Sequence, residues 1–330
     1  MASRKRILML HTGGTLGMES PGVGPLKPGH FERMLRKGVP ELARIADVDF
    51  EVFCNLDSSD LHPGLWSSLG ERVFAALPDY DGVVITHGTD TMPWTAAALS
   101  FMLRGLKKPV VLTGSQRPLG EVRTDARLNV IDAVTAAAAG PAEVCIGFDS
   151  RLYRGNRARK IKINDYDAFE SPNFPPLGSL GVDVILSPGR KPEGRARLLA
   201  ALEPHVFLLK LWPGIPPSLP RQLLPAVKGL VVEGFGAGNF PVKGENSLLP
   251  LFAEAREREL PVVMISQARC NSVNLGLYEA GAEAARLGVI GGGDMTPEAA
   301  VVKLMHVLAH AKGLPAIRDA MERDLAGERT

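Results

Sequence analysis

Two turns that combine glycine with hydroxyl side chains carry the first chemical signal in this sequence. One spans His11–Gly17 (HTGGTLG), and the other spans His87–Thr91 (HGTDT). Glycine lets a backbone turn tightly and approach a ligand closely, and a threonine hydroxyl is a candidate nucleophile. Taken alone, the first is consistent with an ordinary glycine turn, and in the second Thr89 or Asp90 can simply cap a helix. Two such turns at corresponding strand ends suggest one shared site at the edge of a sheet.

Neither turn fits a common nucleotide-binding motif. The glycines of the first turn are adjacent, whereas the dinucleotide fingerprint is G-x-G-x-x-G at the start of a helix, and a P-loop needs Gly-Lys-Ser/Thr. His87 and Asp90 have no third ligand at metal-binding spacing, and HExxH is missing from the sequence. We therefore interpret His11 and His87 as structural hydrogen-bonding residues and predict no metal site.

The elements that must position these turns alternate between short apolar runs and helical stretches. This alternation predicts an α/β fold whose parallel sheet has helices on both faces. The predicted strands are Arg6–Leu10, Asp49–Cys54, Gly82–Thr86, Pro109–Thr113, Glu143–Phe148, Val182–Leu186, His205–Lys210, Leu230–Glu233 and Pro261–Ile265. The predicted helices are His30–Lys37, Gly64–Leu77, Thr91–Leu103, Thr124–Ala138, Asn246–Glu257, Pro297–Ala311 and Leu314–Leu325.

A proline-rich stretch divides the chain. Seven prolines fall between Ser187 and Pro220, and the beginning of this stretch lacks an apolar period. We predict a larger N-terminal domain over residues 1–187 with a mostly parallel sheet, a linker over 188–204, and a smaller C-terminal α/β domain over 205–330 with a parallel sheet. Both hydroxyl-rich turns belong to the first domain.

Composition excludes several classes of protein. The chain has 330 residues, of which 45% are apolar, and it contains no apolar run long enough to span a membrane. With 38 basic and 36 acidic residues, its net charge of +2 makes a nucleic-acid partner unexpected. Its 3 cysteines are far apart, and the N-terminal apolar run stops at Leu10, too early for a signal peptide. We expect a cytoplasmic protein.

Together, the two turns resemble the two signature motifs of the bacterial-type L-asparaginase family. The resemblance covers nearly the whole chain and continues in order through Asp57–Asp60 (DSSD), Leu112–Gln116 (LTGSQ), Tyr153–Lys160 (YRGNRARK) and Val289–Thr296 (VIGGGDMT). The last two segments, with no signal peptide, are most similar to the cytoplasmic type I branch. The resemblance implies hydrolysis of L-asparagine to L-aspartate and ammonia without a cofactor or metal.

The same resemblance assigns roles to individual residues. It implies that Thr15 is the nucleophile, which forms an acyl-enzyme, and that Thr89, Asp90 and Lys160 form a second catalytic group. Ser58 matches the serine that holds the substrate α-carboxylate, and Asp90 matches the carboxylate that receives the α-ammonium. The substrate-binding residues implied in this way are Gly14, Asp57, Ser58, Ser59, Gly88 and Ser115.

The chemistry of amide hydrolysis supplies independent reasons for these residue types. Splitting the reaction through an acyl-enzyme divides its barrier, and a threonine hydroxyl needs a base to take its proton. Lys160 can be that base only when neutral, a form that cationic neighbours such as Arg157, Arg159 and Lys162 favour and that Asp90 opposes. Backbone N–H groups in the two glycine turns can hold the developing oxyanion.

The sequence departs from the family at two positions near the site. Many members carry a tyrosine in the loop after TGGT that bonds the nucleophile, but in Met18–Gly29 the expected place holds Val23 or Gly24. Ser59 stands where many members have glutamine. The resemblance also implies a homodimer or homotetramer in which the C-terminal domain completes a neighbouring subunit's site. Tyr278 and Asn239 are the candidates for that contribution.

Three other functions stay open at the level of sequence. A glutaminase-asparaginase of broader specificity shares these motifs, and so does the amidotransferase subunit that takes ammonia from glutamine for tRNA-linked amidation. The latter usually carries an extra N-terminal domain, for which the residues before TGGT leave no room. A noncatalytic amino-acid sensor on the same fold is the third, suggested by the missing tyrosine.

Overall fold

The computed structural model describes residues 4–18 and 30–330. The chain divides into two compact units, the first ending at Ala200 and the second running from Ala201 to Thr330. The segment predicted as a linker, 188–204, includes a short strand, Arg197–Leu198, that pairs with Leu103–Arg104 in the first unit. In the part of the chain that the structure describes, no helix has the length and apolar character needed to cross a membrane.

The first unit is built around an eight-stranded sheet with the order β11-β10-β7-β6-β5-β3-β1-β2. Its strands, together with those of two small two-stranded sheets, are β1 Arg6–Gly13, β2 Asp47–Leu56, β3 Gly82–Thr86, β4 Leu103–Arg104, β5 Val110–Thr113, β6 Val144–Phe148, β7 Arg151–Arg154, β8 Arg159–Lys160, β9 Phe169–Glu170, β10 Gly178–Leu180, β11 Val184–Leu186 and β12 Arg197–Leu198. Its helices are α1 His30–Gly38, α2 Leu42–Ile45, α3 Pro63–Ala76, α4 Met92–Met102 and α5 Ala126–Ala139.

The predicted mostly parallel sheet is confirmed. Strands β2, β1, β3, β5 and β6 pair with one another in parallel, whereas β7, β10 and β11 continue the sheet beyond β6 in antiparallel pairs. Strands β3, β5 and β6 are buried along their whole length, as expected for parallel strands covered on both faces. The sequence did not predict β7, which follows β6 through a tight turn whose residues Asp149 and Ser150 have φ of 48° and 56°.

Register brings the ends of four strands to one edge of this sheet. His11 of β1 pairs with Thr86 of β3, and Thr86 pairs with Thr113 of β5. On the other side, Gly13 pairs with Leu56, the last residue of β2. The segments that follow β2, β1, β3 and β5 therefore leave the sheet side by side at its carboxyl edge, where open α/β sheets bind their ligands.

The second unit has a parallel sheet, as predicted, and a fourth strand, β16, that the sequence did not predict completes the order β13-β14-β15-β16. Its elements are β13 Val206–Lys210, α6 Ser218–Leu223, β14 Gly229–Gly234, α7 Leu249–Glu257, β15 Val262–Ser266, α8 Glu279–Arg286, β16 Ile290–Gly291, α9 Pro297–His310 and α10 Leu314–Glu322. Thr296 caps α9, because its Oγ1 accepts a hydrogen bond from Ala299 N at 3.1 Å. The core of this unit includes Val232, Phe252 and Met264, none of which is exposed by more than 1%.

Candidate active site

The turn after β1 is tightly constrained by its two glycines. Gly13 and Gly14 have φ of 117° and 88°, a backbone region that favours glycine. A Cβ on Gly13 would lie 2.0 Å from the carbonyl oxygen of Leu56, and one on Gly14 would lie 2.5 Å from the Cα of Gly88. Only glycine fits this turn, which ends in a short 3-10 helix that begins at Thr15.

The turn after β3 contacts the segments that follow β1 and β2. A Cβ on Gly88 would approach the Cβ and Oγ of Ser58 to 2.7 Å. The hydroxyl of Thr91 donates a hydrogen bond to the carbonyl oxygen of Ser58 at 2.7 Å, which ties the two segments together. Gly14, Gly88 and Ser58 thus lie in one contiguous row at the sheet edge, as the shared site predicted from sequence requires.

Lys160 reaches this row from a separate hairpin formed by β8 and β9. Its Nζ lies 2.8 Å from Thr89 Oγ1 and 2.6 Å from Asp90 Oδ1. The lysine side chain is 13% exposed and that of Asp90 is 64% exposed. The three residues assigned to the second catalytic group are therefore in mutual contact, with an ion pair between Lys160 and Asp90.

The cations predicted to influence Lys160 have contacts of their own. Arg157 is buried, and its Cζ lies 5.5 Å from the centre of the Phe174 ring. Lys162 forms an ion pair with Asp167 at 2.5 Å. Lys160 itself is in direct contact with the carboxylate of Asp90.

The segment after β2 combines a buried serine with exposed neighbours. Ser58 is buried, whereas Asp57 and Ser59 are exposed. Asp57 Oδ1 accepts a hydrogen bond from Ser59 N at 2.8 Å, and this N–H, followed by the Ser59 hydroxyl, lowers the pKa of the Asp57 carboxyl. Asp57 therefore caps the turn that presents Ser58.

The segment after β5 is held by Asp125, the residue that immediately precedes α5. The carboxylate of Asp125 accepts hydrogen bonds from Gln116 N at 2.9 Å and from Arg117 N at 3.1 Å. Burial raises the pKa of the Asp125 carboxyl in spite of these bonds. The Ser115 hydroxyl donates to the carbonyl oxygen of Arg117 at 2.5 Å, so this side chain fixes the shape of its own loop.

Gln116 contacts the second catalytic group, a role that the sequence did not predict. Its Oε1 accepts a hydrogen bond from Thr89 Oγ1 at 3.3 Å. The sequence signal that could have indicated this role is the position of Gln116 in the LTGSQ segment, next to Ser115. Sequence spacing alone does not show which side chain of that segment faces Thr89.

The two histidines of the glycine turns are buried structural residues, consistent with the interpretation from sequence. His11 Nδ1 lies 2.8 Å from Thr86 Oγ1, and His87 bonds Thr95 Oγ1 at 2.8 Å and the carbonyl oxygen of Gly88 at 2.6 Å. Burial lowers the pKa of each imidazole to about 4. Both rings are therefore neutral at neutral pH.

Two predicted contributors, Asn239 and Tyr278, belong to the second unit, and two other positions lie outside the described residues. Asn239 ends a turn after β14 in which its N donates to Phe235 O at 2.6 Å, and Tyr278 precedes α8 with its side chain 54% exposed. Their role at a neighbouring subunit's site remains a prediction. Val23 and Gly24 lie in 19–29, outside the described residues. Within 4–18 and 30–330, no group of three or more His, Cys, Asp or Glu side chains is arranged to hold a metal ion.

Comparison with known proteins identifies similar chains over the full length. Residues 6–190 match the family model described as "Asparaginase, N-terminal", and residues 205–321 match "Glutaminase/Asparaginase C-terminal domain". L-asparaginase 1 of Escherichia coli K12 is 41% identical, over 99% of this chain and 98% of that protein. The thermostable L-asparaginase from Thermococcus kodakarensis has a similar structure, with a TM-score of 0.91 and 38% identity over 98% of this chain and 99% of that one. L-asparaginase I from Vibrio cholerae also gives 0.91, with 37% identity over 99% and 100%.

Proposed function

Since the chain belongs to the bacterial-type L-asparaginase family and is similar to its type I branch, we propose that it hydrolyses L-asparagine to L-aspartate and ammonia through an acyl-enzyme on Thr15. One observation carries this proposal. The Lys160–Thr89–Asp90 contacts adjoin the turn of Gly88, which packs directly on the turn that ends at Thr15. A nucleophilic hydroxyl and a proton-handling group thus occupy neighbouring turns of one sheet edge.

In the first half of the reaction, the Thr15 oxygen bonds to the side-chain carbonyl carbon of asparagine. The C–N bond breaks, and the proton from the threonine hydroxyl is passed on to the nitrogen, which leaves as ammonia. Backbone N–H groups of the turns around Gly14 and Gly88 stabilise the oxyanion that forms, and such donors contribute about 3 kcal/mol each.

In the second half, water hydrolyses the aspartyl ester. The water oxygen bonds to the acyl carbon, the bond from that carbon to Thr15 breaks, and a proton returns to the threonine oxygen. We assign the orientation of this water to Thr89, whose hydroxyl oxygen is held by Lys160 Nζ at 2.8 Å; the water passes its proton to the Thr15 oxygen as the ester bond breaks. Asp90 orients Lys160 through the 2.6 Å ion pair.

The charges at this edge suit a small zwitterion. Asp90, whose side chain is 64% exposed, is our candidate for binding the α-ammonium, and Ser58 is the candidate for the α-carboxylate. Gly14, Asp57, Ser59, Gly88 and Ser115 shape the remaining wall. Ser59 has a shorter side chain than the glutamine of many relatives, so we expect its contact with the substrate amine to run through water.

We further propose a cytoplasmic homodimer or homotetramer that acts without nucleic acid, membrane or cofactor. In this assembly, Asn239 and Tyr278 of one subunit would complete the neighbouring site, and Tyr278 is our candidate to replace the tyrosine that the loop after Thr15 lacks. Gel filtration with light scattering measures the assembly. Ammonia release by Tyr278→Phe, compared with that of the parent protein, measures the contribution of the hydroxyl.

Ammonia release on incubation with asparagine, with glutamine or with neither tests the function itself. The proposal predicts rapid release from asparagine. Equal release from both amides would replace it with a glutaminase-asparaginase of broad specificity. Calorimetric binding of asparagine without any release would replace it with an amino-acid sensor.

A further inference from the structure

Gln116 links the second catalytic group to the loop that follows Lys160. We propose that Gln116 is a positioning residue that fixes the direction of the Thr89 hydroxyl proton, so that Thr89 can only accept a hydrogen bond from a third partner. This inference rests on the proposed function, because it concerns how Thr89 acts in that reaction.

The orientation of the Gln116 amide is set by its nitrogen. Nε2 donates to the carbonyl oxygens of Ile163 at 3.3 Å and Asp165 at 3.0 Å. These two acceptors require the NH₂ end of the amide on that side, so Oε1 is the atom that faces Thr89. The backbone N of Gln116 is held by the carboxylate of Asp125, which fixes the base of the side chain as well.

The hydrogen-bonding capacity of the Thr89 hydroxyl then determines what a third partner can do. A hydroxyl has one proton to donate and two lone pairs that accept. The amide oxygen of Gln116, at 3.3 Å, takes the proton, and Lys160 Nζ, at 2.8 Å, donates to one lone pair. The remaining site on the Thr89 oxygen is a lone pair.

A partner at that lone pair must donate its own proton to Thr89. For a water molecule or the Thr15 hydroxyl, this arrangement points an oxygen lone pair away from Thr89 and leaves it available to attack a carbonyl carbon. Without the acceptor on Gln116, the Thr89 hydroxyl is free to rotate and donate to the same partner, which would turn the attacking lone pair in the wrong direction.

Three variants separate this role from simple anchoring of the loop. Gln116→Met keeps the length of the side chain but removes both ends of the amide. Gln116→Glu keeps an oxygen that accepts from Thr89 but loses the donor to the carbonyls of Ile163 and Asp165. Tyr166→Phe is the matched control, because the Tyr166 hydroxyl anchors the same loop to the carbonyl oxygen of Arg123 without touching Thr89.

The assay is steady-state ammonia release from asparagine across a range of pH, with kcat and KM determined separately and thermal unfolding recorded for each variant. We expect Gln116→Met to lower kcat about tenfold with KM changed by less than about twofold, since one directing hydrogen bond is lost. Gln116→Glu should recover most of kcat on the plateau of its pH profile. Tyr166→Phe should keep the kcat of the parent.

Two results would overturn the role of Gln116 while leaving the function intact. One is that the parent protein is active and Gln116→Met has the same kcat as the parent. The other is an equal loss of kcat in Tyr166→Phe and both Gln116 variants, which would make the residue an anchor of the loop. If the parent protein releases no ammonia from asparagine, both the proposed function and this role of Gln116 are refuted. In the first two results, by contrast, the parent protein is active.

Discussion

The buried imidazole of His87 makes folding sensitive to mild acid. Its ring bonds Thr95 and the backbone of Gly88, and burial lowers its pKa from the 6.5 of a free histidine to about 4. Because the folded state holds the ring neutral, its contribution to stability is fully present above about pH 6.5 and is lost as the pH falls toward 4. Each pKa unit is worth about 1.4 kcal/mol, so the complete loss is about 3 kcal/mol.

Much of this loss of stability should appear in an experimentally accessible pH range. Between about pH 7.5 and pH 5, titration in the unfolded but not the folded state removes about 2 kcal/mol for His87. The free energy of unfolding in urea is measured at both pH values for the parent protein and for His87→Asn. Asparagine is chosen because its side-chain amide can still donate to the carbonyl of Gly88. The difference in pH dependence between the two proteins isolates His87, because other shifted groups, such as Asp132 with its pKa raised by burial to about 6, are present in both.

We expect the pH dependence of the unfolding free energy to be smaller in His87→Asn by about 2 kcal/mol over that range. His62→Asn, at an exposed position, distinguishes the effect of burial from that of removing any histidine. An identical pH dependence in the parent and His87→Asn would refute the reasoning, since it would mean that the buried ring takes up a proton as readily as the unfolded chain does.

Two further predictions concern other contacts. Gly88→Ala should lower kcat/KM at least about tenfold while the chain stays folded, because its methyl group would lie 2.7 Å from Ser58 Oγ and even small displacements at a catalytic site are costly. The control is Gly120→Ala, where a Cβ meets nothing within 4 Å. Equal activity of the two variants would contradict the steric argument. Lys303→Met should destabilise the chain to urea by about 3–5 kcal/mol, because it leaves the carboxylate of Glu328, which is 2.5 Å away and also fully buried, without its partner. Adding Glu328→Gln should recover most of that loss, and a double variant no more stable than the single one would contradict the charge argument.

The framework of the site was predictable because its signals are local in sequence. Adjacent glycines after an apolar run indicate a tight turn wherever they occur, and Gly14 and Gly88 do lie at neighbouring strand ends. Parallel strands in register then bring the hydroxyls that follow them to one edge. The contact of Lys160 with Thr89 was predicted only through resemblance to a family, because a lysine on a hairpin has no spacing rule that links it to a distant turn.

The remaining features depend on contacts between distant segments. Gln116 reaches Thr89 only because the loop of Ile163 and Asp165 folds back over its amide. The antiparallel strand β7 depends on a turn in which Asp149, not glycine, adopts positive φ, and β-turn signals in sequence are strongest for glycine. The buried ion pair of Lys303 also has no sequence signal, since charged residues in a helix are usually exposed.

The most direct test of the reaction is to trap the acyl-enzyme. The parent protein and Thr15→Ala are mixed briefly with asparagine and quenched in acid, after which released ammonia is measured and the peptides are mapped by mass spectrometry. We predict ammonia release by the parent together with an aspartyl group, added as an ester, on the peptide that contains Thr15, and neither signal in Thr15→Ala. Ammonia release by Thr15→Ala at the rate of the parent, or an aspartyl group on a different residue, would contradict the account.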